Sequence, residues 1–150
     1  MKTTPNQSQT ADASFAPASE ISADDNVRES APRQTILLVE DDRSIRRYLE
    51  VILQKAGFTV LTAGDGAEAM KIALTTHVDA IVTDAIMPHL GGHELCRFIR
   101  RQAKLARLPI ILLSGLENKL PATNKEDGAD VYMAKPITPT ELINCLERLL

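Results

Sequence analysis

Residues 36–42 read Ile-Leu-Leu-Val-Glu-Asp-Asp, and this stretch decides the fold. Four aliphatic residues in unbroken succession make a strand covered on both faces, since a half-exposed strand would alternate apolar with polar. Helices on both sides of a sheet provide that cover, so the run predicts a parallel sheet built from βα units. The three acids that follow stand at the carboxyl end of the strand.

Outward from this strand the same pattern returns. Residues 59–63, 80–83, 110–113 and 131–134 are further short aliphatic runs, with segments of helical periodicity between them. Five βα units are therefore expected over residues 34–150, giving an α/β fold with a doubly wound, five-stranded parallel sheet. The first helix, 43–56, carries Ile45, Tyr48, Leu49, Ile52 and Leu53 on one stripe, with Gly57 placed to end it. The second starts after the N-cap Asp65 and carries Met70, Ile72, Ala73 and Leu74; the third, 93–104, turns Leu95, Cys96, Phe98 and Ile99 inward. The last opens on Thr138-Pro139-Thr140-Glu141, a capping box with proline at the first helical position. Residues 118–127, with Pro121 and few apolar anchors, predict a weak fourth helix, short or displaced.

Composition bounds the rest. At 150 residues, 44% hydrophobic and 3% aromatic, the chain has room for one domain with an aliphatic core. Residues 1–33 are mostly small and polar with almost no periodic apolar residues, so a disordered N-terminal tail is expected there. A net charge of −3 offers no general attraction to nucleic acid or anionic membrane, and direct binding to nucleic acid is not expected. No apolar segment follows Lys2 and no run approaches a membrane span, so the expectation is a cytoplasmic protein without membrane insertion. Cys96 and Cys145 sit among apolar residues at helical spacing, which favours buried thiols over a disulfide or metal pair. His89 and His93 lack a third ligand and read as solvent-exposed, while Arg97, Arg100, Arg101 and Lys104 read as a solvated helix face.

The chemistry collects at the strand ends, where ligands of a doubly wound sheet sit if the winding direction reverses. Glu40, Asp41 and Asp42 follow the first strand, Asp84 the third, Ser114 and Gly115 the fourth, and Lys135 and Pro136 the fifth. With strand order 2-1-3-4-5 the first and third strands are neighbours, and Glu40, Asp41 and Asp84 converge. Packed carboxylates repel unless a cation joins them, and a hard divalent ion with oxygen ligands, Mg2+ or Mn2+, answers that repulsion. Lys135 adds a second positive charge and Ser114 a hydroxyl donor. The set suits phosphoryl transfer to a carboxylate, with Asp84 as in-line nucleophile. Asp42 by itself reads as the cap of the first helix, and Lys135-Pro136 is a candidate cis peptide.

The acidic cluster in LLVEDD, the aspartate in VTDAIMP, the hydroxyl in LLSG and the lysine in MAKP resemble, in this order, the receiver domain of the two-component response-regulator family. The resemblance spans residues 34–150 and implies a flavodoxin-like (βα)5 fold. It implies that Asp84 takes a phosphoryl group from a histidine kinase or histidine phosphotransfer protein, with no enzyme activity beyond self-phosphorylation and autodephosphorylation. It further implies Mg2+ held by Asp41, Asp84 and the backbone carbonyl of Ile86, with Glu40 acting through a metal-bound water. Lys135 and Ser114 would contact the phosphoryl group, and Ser114 and Tyr132 would switch together. A surface of the fourth helix, fifth strand and fifth helix would then exchange a downstream protein partner.

Some features depart from the family pattern. Ile86 and Leu116 place aliphatic groups two residues after Asp84 and Ser114, where polar groups would position attacking water, so slow self-hydrolysis is expected. Gly91 stands where an acid is common, and the Ser114–Lys135 spacing is one residue short; with Pro121, this bears on the output surface. Three other functions fit the architecture. A haloacid-dehalogenase-type phosphotransferase wants a second acid where Ile86 stands, and a flavodoxin-like module wants a phosphate loop that Glu40-Asp41-Asp42 would repel. The third is a receiver-like interaction module independent of phosphorylation. Ending on its last helix, the chain reads as a single-domain regulator or as a piece of a longer one.

Overall fold

Leu37 and Val39 face one side of the first strand and Ile36 and Leu38 the other, and all are fully buried. The computed structural model, which describes residues 32–115 and 128–150, runs β1 (Thr35–Val39), α1 (Arg43–Lys55), β2 (Thr59–Ala63), α2 (Gly66–Thr75), β3 (Ala80–Asp84), α3 (Gly92–Arg101), β4 (Ile110–Ser114), β5 (Val131–Ala134) and α4 (Pro139–Leu149). The weak helix expected over 118–127, with Leu116 and Pro121, lies outside the described residues, as does the tail expected at the amino terminus up to residue 31.

All strand pairs are parallel and the order is β2-β1-β3-β4-β5, the doubly wound arrangement expected. One core packs Ala69 and Ala73 of α2 and Leu95, Cys96 and Ile99 of α3 on Leu37, Val39, Ile81 and Leu112. The other packs Leu49 and Leu53 of α1 and Leu142, Cys145 and Leu146 of α4 on Ile36, Leu38, Val82, Ile111 and Leu113. Each fully buried Leu or Ile contributes about 1.5–3 kcal/mol of transfer free energy, so the two-sided burial of β1, β3 and β4 is the main stabilising term. Both cysteines are buried.

The local start signals act as written in the sequence. Asp42 Oδ1 accepts from Ile45 N–H at 3.0 Å and Asp65 Oδ1 from Glu68 N–H at 2.8 Å. Thr138 and Glu141 exchange both bonds of a capping box. Gly57, at φ 101°, closes α1 in the left-handed region. Gly91 caps α3 without a side chain, and its N–H donates to Glu94 Oε1 at 3.1 Å.

Four expectations are corrected. The aliphatic runs of β2 and β5 predict cover on both faces, yet the strands are mostly half-buried, because the winding order makes them the sheet edges. In α1 only Leu49 and Leu53 are buried; Ile45 and Tyr48 are 41% and 57% exposed. Ile45 lies in the first turn, beside the strand ends where the sheet offers no further face, and Tyr48 flanks the buried row. α3 ends at Arg101 rather than near 104, because Gln102 turns extended at ψ 120°. Arg100 does not join a solvated face: its guanidinium donates to the carbonyls of Gly128 (2.6 Å), Leu108 (2.7 Å) and Ala106 (3.1 Å) and to Asp130 (2.8 Å). Asp130 Oδ2 also takes Ile110 N–H at 2.8 Å, so this clamp sets the entry of β5 against β4. Among the described residues no helix is long and apolar enough to cross a membrane.

Candidate functional site

β1 and β3 pair directly because the winding reverses between them, and that adjacency gathers Glu40, Asp41 and Asp84. One carboxylate oxygen from each lies within 4.8 Å of the others. Glu40 and Asp84 are buried and Asp41 is exposed, so the cluster is open on one side. Asp84 is the last residue of β3, held in line by Ala85 N–H on Leu113 O at 2.7 Å. The amino end of α3 is folded directly onto it: Gly92 N–H donates to Ala85 O at 2.9 Å, and a Cβ on Gly92 would collide with the carbonyl oxygen of Asp84.

Lys135 reaches the cluster from the end of β5. Its backbone N–H donates to Ser114 O at 2.7 Å, and the Lys135–Pro136 peptide is cis. Its Nζ lies 3.1 Å from Asp84 Oδ1 and 3.5 Å from Glu40 Oε1. Ser114, 1% exposed, is the last residue of β4, next to the strand that ends in Asp84, and its hydroxyl donates to Gly115 O at 3.2 Å. Tyr132 is half-buried against the α2–α3 core. Ile86 projects its side chain at 61% exposure, Met87 is buried, and His89 stands exposed in the left-handed region at φ 69°. His93 is half-buried at the start of α3.

The charges explain one another. Burial pushes the Glu40 carboxyl above its ordinary value, and the charge of Asp84 and a hydrogen bond with Asp41 push the same way. The Asp42 N–H and Lys135 pull it back only in part. Burial works against the Lys135 ammonium, but the hydrogen bond and charge of Asp84, joined by Glu40, outweigh it and hold the lysine above its ordinary value. Three carboxylates against this lysine leave an excess of negative charge on an all-oxygen donor set. Such a set fits a hard divalent cation.

Two contributors escaped the sequence reading. Arg46, in the second turn of α1, donates from Nη1 to the carbonyl of Glu40 at 2.7 Å. Helical side chains lean toward the amino terminus, so a cation early in a helix that follows an acidic strand end is the signal that could have found it. Gly92 carries no local signal, because its need for close backbone contact depends on where α3 lands.

The fold and the site together define a class: a doubly wound α/β domain with a lysine-buttressed carboxylate cluster at the reversal of its sheet. The chain belongs to the response regulator receiver domain family, whose model matches residues 36–147, and so to two-component signalling. A curated relative, a probable transcriptional regulator ycf27 of Cyanidium caldarium, is 42% identical over 108 residues, covering 71% of this chain and 42% of that protein. The chain spans half or less of the length of the first such relatives. The chemotaxis response regulator CheY4 of Vibrio cholerae superposes with a TM-score of 0.73 at 34% identity, covering 79% of this chain and all of that one. Response regulator TrrA of Thermotoga maritima, solved in complex with Mg2+ and BeF, superposes with a TM-score of 0.70 at 31% identity, covering 78% and 99%.

Proposed function

We propose that Asp84 is the phosphoryl acceptor of a two-component phosphorelay, with a histidine kinase or histidine phosphotransfer protein as donor. The observation that carries this is Lys135 Nζ, 3.1 Å from Asp84 Oδ1, beside a cluster of three carboxylates. An Asp84 carboxylate oxygen would attack phosphorus; the P–O bond forms as the P–N bond to the donor imidazole breaks, and the ring nitrogen keeps the electron pair. Lys135 would move from the carboxylate to the incoming phosphoryl oxygens, and Ser114 would turn its hydroxyl toward them. Asp41, Asp84 and the backbone carbonyl of Ile86 would hold Mg2+, with Glu40 acting through a bound water; the ion supplies charge neutralisation at the equatorial oxygens. Tyr132 would follow Ser114 and alter a protein-binding surface. Such a chain would work in the cytoplasm, beside its phosphoryl donors.

Mass spectrometry after incubation with acetyl phosphate and Mg2+ tests it. The wild-type chain gains one phosphoryl mass and Asp84→Asn gains none; a wild-type chain that stays unmodified sinks the proposal.

A further inference from the structure

We propose that Arg46 is a positioning residue for the acidic strand end, holding Glu40 and Asp41 in the form that takes a divalent cation. This rests on the metal reading above. Glu40 is the first residue beyond β1 and every polar part of it is tied. Its N–H donates to Ala63 O at 3.1 Å, one carboxylate oxygen takes Asp42 N–H at 3.1 Å, and the other faces Lys135. Its carbonyl is met by Arg46 Nη1 at 2.7 Å, which links α1 back to the strand that precedes it. The turn from 40 to 42 is thereby closed by a charged, half-buried donor in addition to the Asp42 cap.

The loop after β2 runs close to the guanidinium. A Cβ on Gly64 would lie 3.6 Å from Arg46 Nη1 and 3.7 Å from Glu68 Oε1, and Glu68 Oε1 is itself occupied by Gly64 N–H at 2.8 Å. Arg46 thus lies between the end of β1, to which it is hydrogen-bonded, and the loop that follows β2.

Charge and positioning make opposite predictions. A cation beside a cation site repels the incoming ion, so a purely electrostatic Arg46 would weaken metal binding and its neutralisation would strengthen it. A tie that pre-forms the ligand pair does the reverse. Mn2+ titration of the full chain, read by the electron paramagnetic resonance signal of the free ion, separates the two. Arg46→Met and Arg46→Gln are expected to bind Mn2+ on the order of three- to tenfold more weakly, and Arg46→Lys, which keeps charge and donor, to regain most of the affinity. Thermal midpoints run alongside, since a role confined to stability would lower them without changing affinity. Unchanged or tighter binding in either neutral variant that folds overturns the positioning role. A wild-type chain that binds no Mn2+ overturns the metal reading instead.

Discussion

Gly92→Ala probes the seat of α3 on the acceptor strand. The added methyl would strike the Asp84 carbonyl oxygen and lie 3.0 Å from the carbonyl carbon and 2.8 Å from Leu112 Cδ1. None of these atoms yields cheaply: the carbonyl belongs to a central strand and Leu112 is fully buried. Overpacking of this kind costs about 1–3 kcal/mol. For a domain near this size that lowers Tm by roughly 4–12 °C. Relief requires α3 or the end of β3 to retreat, which moves Asp84 relative to a lysine that now sits 3.1 Å from it. Misplacement by about 1 Å at a reacting centre costs on the order of a hundredfold, so beryllofluoride binding in the presence of Mg2+, followed by fluorine NMR, should weaken at least tenfold. Gly64→Ala is the control, because a Cβ there meets nothing closer than 3.6 Å; its stability should stay within about 0.5 kcal/mol of wild type. Circular dichroism melts that coincide for Gly92→Ala and wild type, with equal beryllofluoride affinity, would refute the close seating of α3.

Other perturbations address the charges and the reaction. Lys135→Met removes a partner whose attraction to Asp84 at 3.1 Å is about 1–5 kcal/mol for an effective dielectric between 80 and 20; phosphorylation by acetyl phosphate should disappear while the circular dichroism spectrum persists, and normal labelling would exclude Lys135 from the chemistry. Because Glu40 is raised from 4.5, the native state holds its proton more tightly than the unfolded chain does. Its contribution is complete below pH 4.5 and is lost as pH rises through the folded value. Glu40→Gln should therefore gain stability relative to wild type as pH climbs from 4.5 toward neutrality without metal, and parallel urea midpoints across that range would contradict the shift. The exposed aliphatic Ile86 offers no polar group to attacking water, so phosphoryl-Asp84 in purified protein with Mg2+ should persist for minutes or longer, and Ile86→Asn should shorten it; decay of the wild-type species within seconds would count against this role.

Much of the fold was legible because it is written in short-range pattern. The aliphatic runs, the caps Asp42, Asp65 and Thr138, and Gly57 depend on neighbours within a turn or a strand, and β2 and β5 have the bounds their sequence implies. Glu40, Asp41, Asp84, Ser114 and Lys135 could be placed at strand ends for the same reason, since each stands at or just past the end of a short aliphatic run.

Only the tertiary structure decided how far the edge strands β2 and β5 are covered, why Ile45 and Tyr48 stay exposed, where Arg100 turns, and how Arg46 and Gly92 serve the acidic cluster. Each of these depends on residues far apart in the chain meeting at a set distance, as Arg100 does with Gly128 and Asp130. Periodicity states that a residue faces inward or outward; it carries no record of which carbonyl, from which other element, will be waiting there.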